Sequence, residues 1–348
     1  MEKRADMEKT KKNMGIELFR ILCMLGIISY HLIGHGWIIQ QLSPTSWKYT
    51  LIRGLEAICL CGITGFALIS GYVGVKGQTR YAAWGIQWLK VWLYSVGFTL
   101  LARWLEPGLV SREAMVSSCF PLLNRQYWYF SAYTGCMFMA PFLKAGLLQM
   151  DKKKATVGVV LMLAAFSAAS TFSKQNAFDV GNGKNVLWLM VMYVLGAYLS
   201  TFQILEGIST GKLVGLTVGA ACLQIACAFA SERQVYAPTT VLLSVLLLLL
   251  CARMPVKRGV RMISCWGAAS FGVYLIHDHP YVRQMTIARY ARYLAYAPKL
   301  WLIPAIVLTA VGIYACCACV ESVRERLFDM MGLKKRLYRL EETWMKAP

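Results

Sequence analysis

The sequence predicts an all-α protein, a polytopic transmembrane bundle of about ten helices, each near the length a bilayer requires. Three observations predict it. Of the 348 residues, 57% are hydrophobic and only 16% are charged, too little charge to cover the surface of a soluble domain this long. The apolar residues fall into stretches near the ~20 residues that span a hydrocarbon core. The basic residues, in excess by a net +20, gather in short runs between those stretches. That distribution suits topology signals and anionic headgroups. No RNA- or DNA-binding module motif accompanies the charge, so no nucleic-acid partner is expected, and the bilayer is.

The expected spans lie near 14–39, 51–74, 82–104, 126–149, 155–173, 185–203, 213–231, 236–252, 263–281 and 300–320. Punctuating sequences such as Gly74-Val75-Lys76-Gly77 and Asp151-Lys152-Lys153-Lys154 separate them. The stretch 105–125, with Pro107, Gly108 and Pro121, is the longest that does not span, and has room for an interfacial helix. The layout is a basic cytoplasmic tail (1–13), a membrane domain (14–320) and a second basic cytoplasmic tail (321–348).

Basic residues set the orientation. Lys3, Arg4, Lys9, Lys11 and Lys12 hold the N-terminus in the cytoplasm. The same side then receives Lys76 and Arg80, Lys152–Lys154, Lys212, and Arg253, Lys257, Arg258 and Arg261. The C-terminal Arg324, Arg326, Lys334, Lys335, Arg336 and Arg339 land there too. Lys48, Arg53, Arg112, Arg125, Lys174, Lys184 and Arg233 are scattered on the other side. One loop dissents: 282–299 carries Arg283, Arg289, Arg292 and Lys299, yet falls outside. Either it binds something anionic or the span count is wrong near it. The first span is too long for a signal peptide, contains Arg20 and His31 and lacks a small-x-small cleavage site, so it is expected to be retained.

The twelve cysteines fall mostly inside apolar stretches, where a thiol behaves as a small hydrophobe. Cys316 and Cys319 have C-x-x-C spacing, but no nearby histidine or second pair supports a metal, and none is expected.

The candidate chemistry begins in the first span. Ten uncharged residues separate Arg20 from His31; eleven positions amount to about three turns plus 20°, so the two share a face about 16 Å apart along the axis. Glu17 precedes Arg20 by three positions and can pair with it, and His35 lies one turn beyond His31. A cation inside a span costs at least ~2.5 kcal/mol, so such groups usually have a partner or a task. Pairing at the interface and interhelical hydrogen bonding are the competing structural readings. In the ninth span, Ser270-Phe271-Gly272-Val273-Tyr274-Leu275-Ile276-His277-Asp278-His279 places His277 about 21 Å from the cytoplasmic end, against about 25 Å for His31, so the two can meet. Capping of a helix end also accounts for His277–His279. Small residues at Thr64–Tyr72 suit either close helix packing or a ligand. Tyr127-Trp128-Tyr129-Phe130 suits either an aromatic belt or a sugar platform.

Together these residues resemble acyltransferase family 3, bacterial membrane acyltransferases of cell-surface glycans. The resemblance covers nearly the whole chain. Its strongest element is Arg-x(10)-His, met by Arg20 and His31. Ser70-Gly71-Tyr72, the Trp128-Tyr129-Phe130 opening of the fourth span and Tyr274-Leu275-Ile276-His277 follow in order. Many members have Asp a few residues before the Arg; Glu17 supplies that charge here. Some members carry a further span and an extracytoplasmic hydrolase-like domain; neither is expected here, so transfer alone or with a separate partner is.

The resemblance implies a multi-pass protein of the bacterial plasma membrane that moves an acetyl or other acyl group onto a hydroxyl of a surface or exported polysaccharide. Acyl-CoA, most simply acetyl-CoA, would be the donor substrate, with no bound cofactor. Arg20, with Lys76 and Arg80 nearby, would meet its phosphates, since guanidinium binds phosphate bidentately. His31 would serve as general base or transient acyl carrier, with His277 beside it. Glu17, Ser70, Gly71, Arg80, Trp128, Tyr129 and Tyr274 would line the substrates, a glycan or lipid-linked glycan entering past Trp128 and Tyr129. Two rivals stand beside this reading. A glycan or lipid flippase would be expected to show inverted repeats or broken helices, and none is found. Transfer of a longer acyl group, or to a non-glycan acceptor, is compatible with the same residues.

Overall fold

The computed structural model describes residues 12–173, 178–230 and 235–346. Of the basic residues used for orientation, Lys3, Arg4, Lys9, Lys11, Lys174 and Arg233 lie outside the described residues. Among the described residues the chain is all-helical, with no strand.

Asn13 starts the bundle: its Oδ1 accepts the Gly15 and Ile16 amides, satisfying donors that the first turn of α1 (Met14–Gly34) leaves open. Ser46 caps α2 (Trp47–Cys59), which continues almost directly into α3 (Cys61–Gly74). Next come α4 (Tyr81–Leu105), the short α5 (Arg112–Ser118) and α6 (Trp128–Leu148). Asp151 caps α7 (Lys152–Leu163), which passes through a π-helical turn, Ala164–Ala169, into α8 (Ser170–Phe172). Asn185 caps α9 (Val186–Thr201), followed by α10 (Thr210–Ala230), α11 (Pro238–Ala252) and α12 (Val260–His277). Two short helices, α13 (Pro280–Met285) and α14 (Ile287–Tyr290), and 3-10 turns lead to α15 (Leu302–Met330) and α16 (Leu333–Lys346).

A helix occupies each expected span, with shifted ends. The first stops at Gly34 rather than 39, and the ninth runs Val260–His277 rather than 263–281. Five segments are long and apolar enough to cross a membrane: Met14–Gly34, Trp47–Gly74, Lys152–Phe172, Thr210–Phe229 and Lys299–Met330. The others fall short for physical reasons. α9 and α11 are apolar but short. α4, α6 and α12 carry polar and aromatic side chains (Gln87 and Lys90, Tyr129 and Tyr133, Ser270 and His277) that face the interior rather than lipid.

α1 is the central helix, packed against α2, α3, α11, α12 and α15. Hydrogen bonds and ion pairs sort the connections into two ends. At one, Asn13 donates to Ala252 O, Arg253 to Ile208 O, Lys144 to Gly77 O, and Arg80 pairs with Glu342. At the other, Lys48 donates to Ala295 O and Arg289 pairs with Glu106 at 2.9 Å, holding that carboxyl below its usual range. The dissenting loop therefore keeps its cations occupied: Arg283 pairs with Asp278, Arg289 with Glu106, Arg292 lies over Tyr293 and Lys299 over Trp47. The expected domain boundary at 320 falls inside α15, which continues to Met330 with Glu321 and Arg324 buried.

Candidate active site

His31 lies three residues before the end of α1, and His277 is the last residue of α12. Packing of these two helices brings the rings together, with His31 Nδ1 3.1 Å from His277 Nε2. The network assigns the tautomers. His277 Nδ1 sits 2.7 Å from Val273 O, a carbonyl that only accepts, so this nitrogen carries the proton and Nε2 holds a lone pair. His31 Nδ1 must then donate to it, which leaves the lone pair of His31 on Nε2. Asp278 Oδ1 stands 3.6 Å from the same Nδ1, too far for a hydrogen bond. Arg283 donates to that oxygen at 2.7 Å and fixes the carboxylate. His35 lies edge-on to His31 with ring centroids 5.1 Å apart.

Three cavities run in series toward this cluster. The widest, about 460 Å³, opens among Gln78, Thr79, Arg80, Trp84 and Tyr338. It shares Arg20, Ile69, Ser70, Gln87 and Tyr133 with a middle cavity of about 220 Å³. Phe66, Tyr129 and Phe271 in turn wall both the middle cavity and a narrow chamber of about 30 Å³, which holds His31, Met24, Ile27, Ile63, Trp128 and Tyr274. Arg20 and His31, chosen for their shared helix face, thus stand at successive stations of one path. Arg80 lies at its mouth, Ser70 along it, and Trp128, Tyr129 and Tyr274 at its end.

Three expected site residues line none of these cavities: Glu17, Gly71 and His277, the last reaching the path only through its contact with His31. Glu17 is buried behind Arg20, accepting from its Nη1 at 3.2 and 3.3 Å, and packs where a Cβ on Gly267 would collide with it. It holds the guanidinium rather than facing a cavity. Gly71 faces α9: a Cβ there would run into the Tyr193 carbonyl, just as one on Gly196 would run into that of Leu68. The pair lets α3 and α9 approach backbone to backbone. Ser70, its neighbour, donates to Phe66 O at 3.1 Å while lining both larger cavities.

The family model described as an acyltransferase domain (Acyl_transf_3) matches residues 13–321. The chain belongs to acyltransferase family 3. No curated protein and no solved structure matches it.

Several groups in this family 3 acyltransferase escaped the sequence reading. Asp278 and Arg283 complete the histidine cluster, and adjacency of Asp278 to His277 was the signal for the first. Gln87, whose buried Oε1 has no hydrogen-bond partner, faces both larger cavities. Behind Phe271 lies a buried ionic knot. Glu321 Oε1 is 2.8 Å from Lys90 Nζ, its Oε2 accepts from Tyr94 Oη at 2.5 Å, and both oxygens pair with Arg324. Lys90 lies over the Phe271 ring at 5.6 Å. The rule that selects Arg20, a cation inside a span, applies equally to Lys90. His279, by contrast, is structural: Nδ1 accepts the Tyr281 amide at the start of α13.

Among the described residues, His31, His35 and Asp278 are the group whose ligand atoms lie close enough, within 4.8 Å, to hold a metal ion. In the acyltransferase the guanidinium of Arg283 already supplies the cation on Asp278.

Proposed function

We propose that this membrane acyltransferase moves an acetyl group from cytoplasmic acetyl-CoA to a hydroxyl of a cell-surface or exported polysaccharide. One observation carries the reading: the three cavities share walls from Arg80 through Arg20 to His31. The CoA phosphates would rest at Arg80 and Arg20, as bidentate guanidinium contacts favour. The about 16 Å between Arg20 and His31 is comparable to a pantetheine arm, and Ser70, Gln87 and Tyr133 offer polar partners along its course. On this reading all ten principal helices cross the plasma membrane, and both termini are cytoplasmic.

The chamber at His31 favours the smallest acyl group. Since ~10–15 Å³ of such space admits one water, its about 30 Å³ suits a group of a few atoms such as acetyl, and its mostly apolar lining disfavours a charged succinyl. His31 Nε2 takes the proton of the acceptor hydroxyl as its oxygen attacks the thioester carbonyl. The carbon–sulfur bond breaks, and the CoA thiolate leaves with the proton that His31 returns. Asp278 stabilises the imidazolium between those steps. The acceptor approaches past Trp128, over whose ring Lys184 sits at 5.9 Å.

The test uses the purified protein in nanodiscs with acetyl-labelled CoA and the surface glycan of a deletion strain. Label appearing on the glycan supports the reading; CoA release without labelled glycan points to another acceptor, and no CoA release removes the acyl-CoA donor.

A further inference from the structure

Gly332, in the left-handed conformation at φ 64°, turns the chain out of α15 and into α16. Lys334 pins the turn by pairing with Glu325 at 2.9 Å and Asp329 at 3.0 Å. From there α16 packs against α4 and α15. At about 100° per residue, Leu333, Leu337, Leu340 and Trp344 fall within a narrow arc. Tyr338 and Glu341 fall beside it, toward the bundle; Lys335, Arg336 and Arg339 fall on the remaining face and are exposed. Among the described residues nothing covers the outer half of the apolar arc: Leu340 is 65% exposed and Trp344 83%. Leu327, Met330 and Met331, at the end of the preceding span, are exposed too.

The same helix builds the mouth of the widest of the three cavities that lead to His31. Tyr338 lines it, Arg80 lies over the Tyr338 ring at 5.5 Å and pairs with Glu342, and Glu341 accepts the Tyr81 amide at 2.7 Å. One face of α16 is therefore fastened to the rim while a second is apolar and a third cationic.

We propose that α16 lies in the headgroup region of an anionic bilayer surface, and that this docking holds the donor mouth in shape. The occupant is a membrane and not a second protein because the exposed apolar arc continues the lipid-facing flank of α15 and carries cations beside it. An aromatic and aliphatic stripe with a Lys/Arg face is what an interfacial helix needs. The link to donor binding rests on the function proposed above; the membrane docking does not.

Two measurements separate them. Hydrogen exchange of 333–346 is followed in nanodiscs of zwitterionic lipid and of lipid containing anionic phosphatidylglycerol. The amides are expected to exchange about tenfold slower with the anionic lipid, and Leu340→Glu/Trp344→Glu to erase the difference. Equal exchange in both lipids, or protection that appears only with dimers seen by cross-linking, overturns the docking. The second measurement is acetyl-CoA kinetics of the double variant, whose two side chains touch neither cavity nor rim. KM for acetyl-CoA is expected to rise about tenfold with kcat kept; unchanged KM alongside lost protection overturns the coupling. If the wild type transfers no acetyl group, the function proposed above fails, while the exchange result still decides the docking.

Discussion

His31 Nδ1 and His277 Nε2 meet at 3.1 Å, joining the ends of two helices 246 positions apart in sequence. The contact fixes which nitrogen of His31 keeps its lone pair, and Asp278 adds a negative charge 3.6 Å from the other nitrogen. Removing either partner should slow the chemistry without loosening the donor. His277→Ala is expected to lower kcat about 10–100-fold and Asp278→Asn about 100-fold, with KM for acetyl-CoA unchanged. His277→Gln, which can still accept from His31, should recover part of the loss. Steady-state kinetics that show KM rising while kcat holds would contradict the positioning role.

Arg20 should report on donor affinity. Charge-assisted hydrogen bonds contribute about 1.5–3 kcal/mol, so Arg20→Ala is expected to raise the Kd for CoA roughly 10- to 150-fold. Arg20→Lys restores the charge but not the fork, and should recover only part. Binding measured by calorimetry on the solubilised protein checks this, and an unchanged Kd would move the phosphates elsewhere.

The narrow chamber should set acyl-chain length. Ile63 lines it on the side away from His31's own helix. Ile63→Ala adds space for about two or three further carbons' worth of chain at most. Competition between acetyl- and butyryl-CoA is expected to shift toward butyryl in this variant; a preference that does not move would place the selecting wall outside the chamber.

Glu321 balances Lys90 and Arg324 in the interior, where removing one partner of a buried ion pair costs about 3–5 kcal/mol. Glu321→Gln is therefore expected to lower the thermal unfolding temperature in detergent markedly. The double change Glu321→Gln/Lys90→Met should return part of it, because one unpaired cation is gone. Additive losses would show that the two groups do not interact.

Much of the fold was legible in the sequence, and some of the site. Apolar runs and basic punctuation locate the helices because lipid imposes length and charge placement directly. Span ends were less legible: α1 stops at Gly34 because the chain turns at His35–Trp37, and apolar residues continue past that turn. Arg20 and His31 were legible because helix periodicity is local. The meeting of His31 with His277 followed from depth alone, and depth along two helices is a one-dimensional estimate that suffices here because both enter from the same end. Gly71 was ambiguous for a physical reason: a small residue serves a close helix crossing and a ligand equally well, and only the position of α9 separates the two. Glu321 and Arg324, three positions apart on α15, have the spacing that pairs Glu17 with Arg20, but Lys90 comes from α4, distant in sequence, so its place in the knot could not be matched in advance.

The central claim is that His31 performs the transfer at the end of the donor path. The most direct measurement restores either the wild-type chain or His31→Ala to a deletion strain, with equal membrane levels checked by immunoblot, and weighs the surface glycans by mass spectrometry. The mass increment of an acetyl group is expected to return with the wild type and to be absent with His31→Ala. Its return with His31→Ala would show that His31 does not perform the transfer.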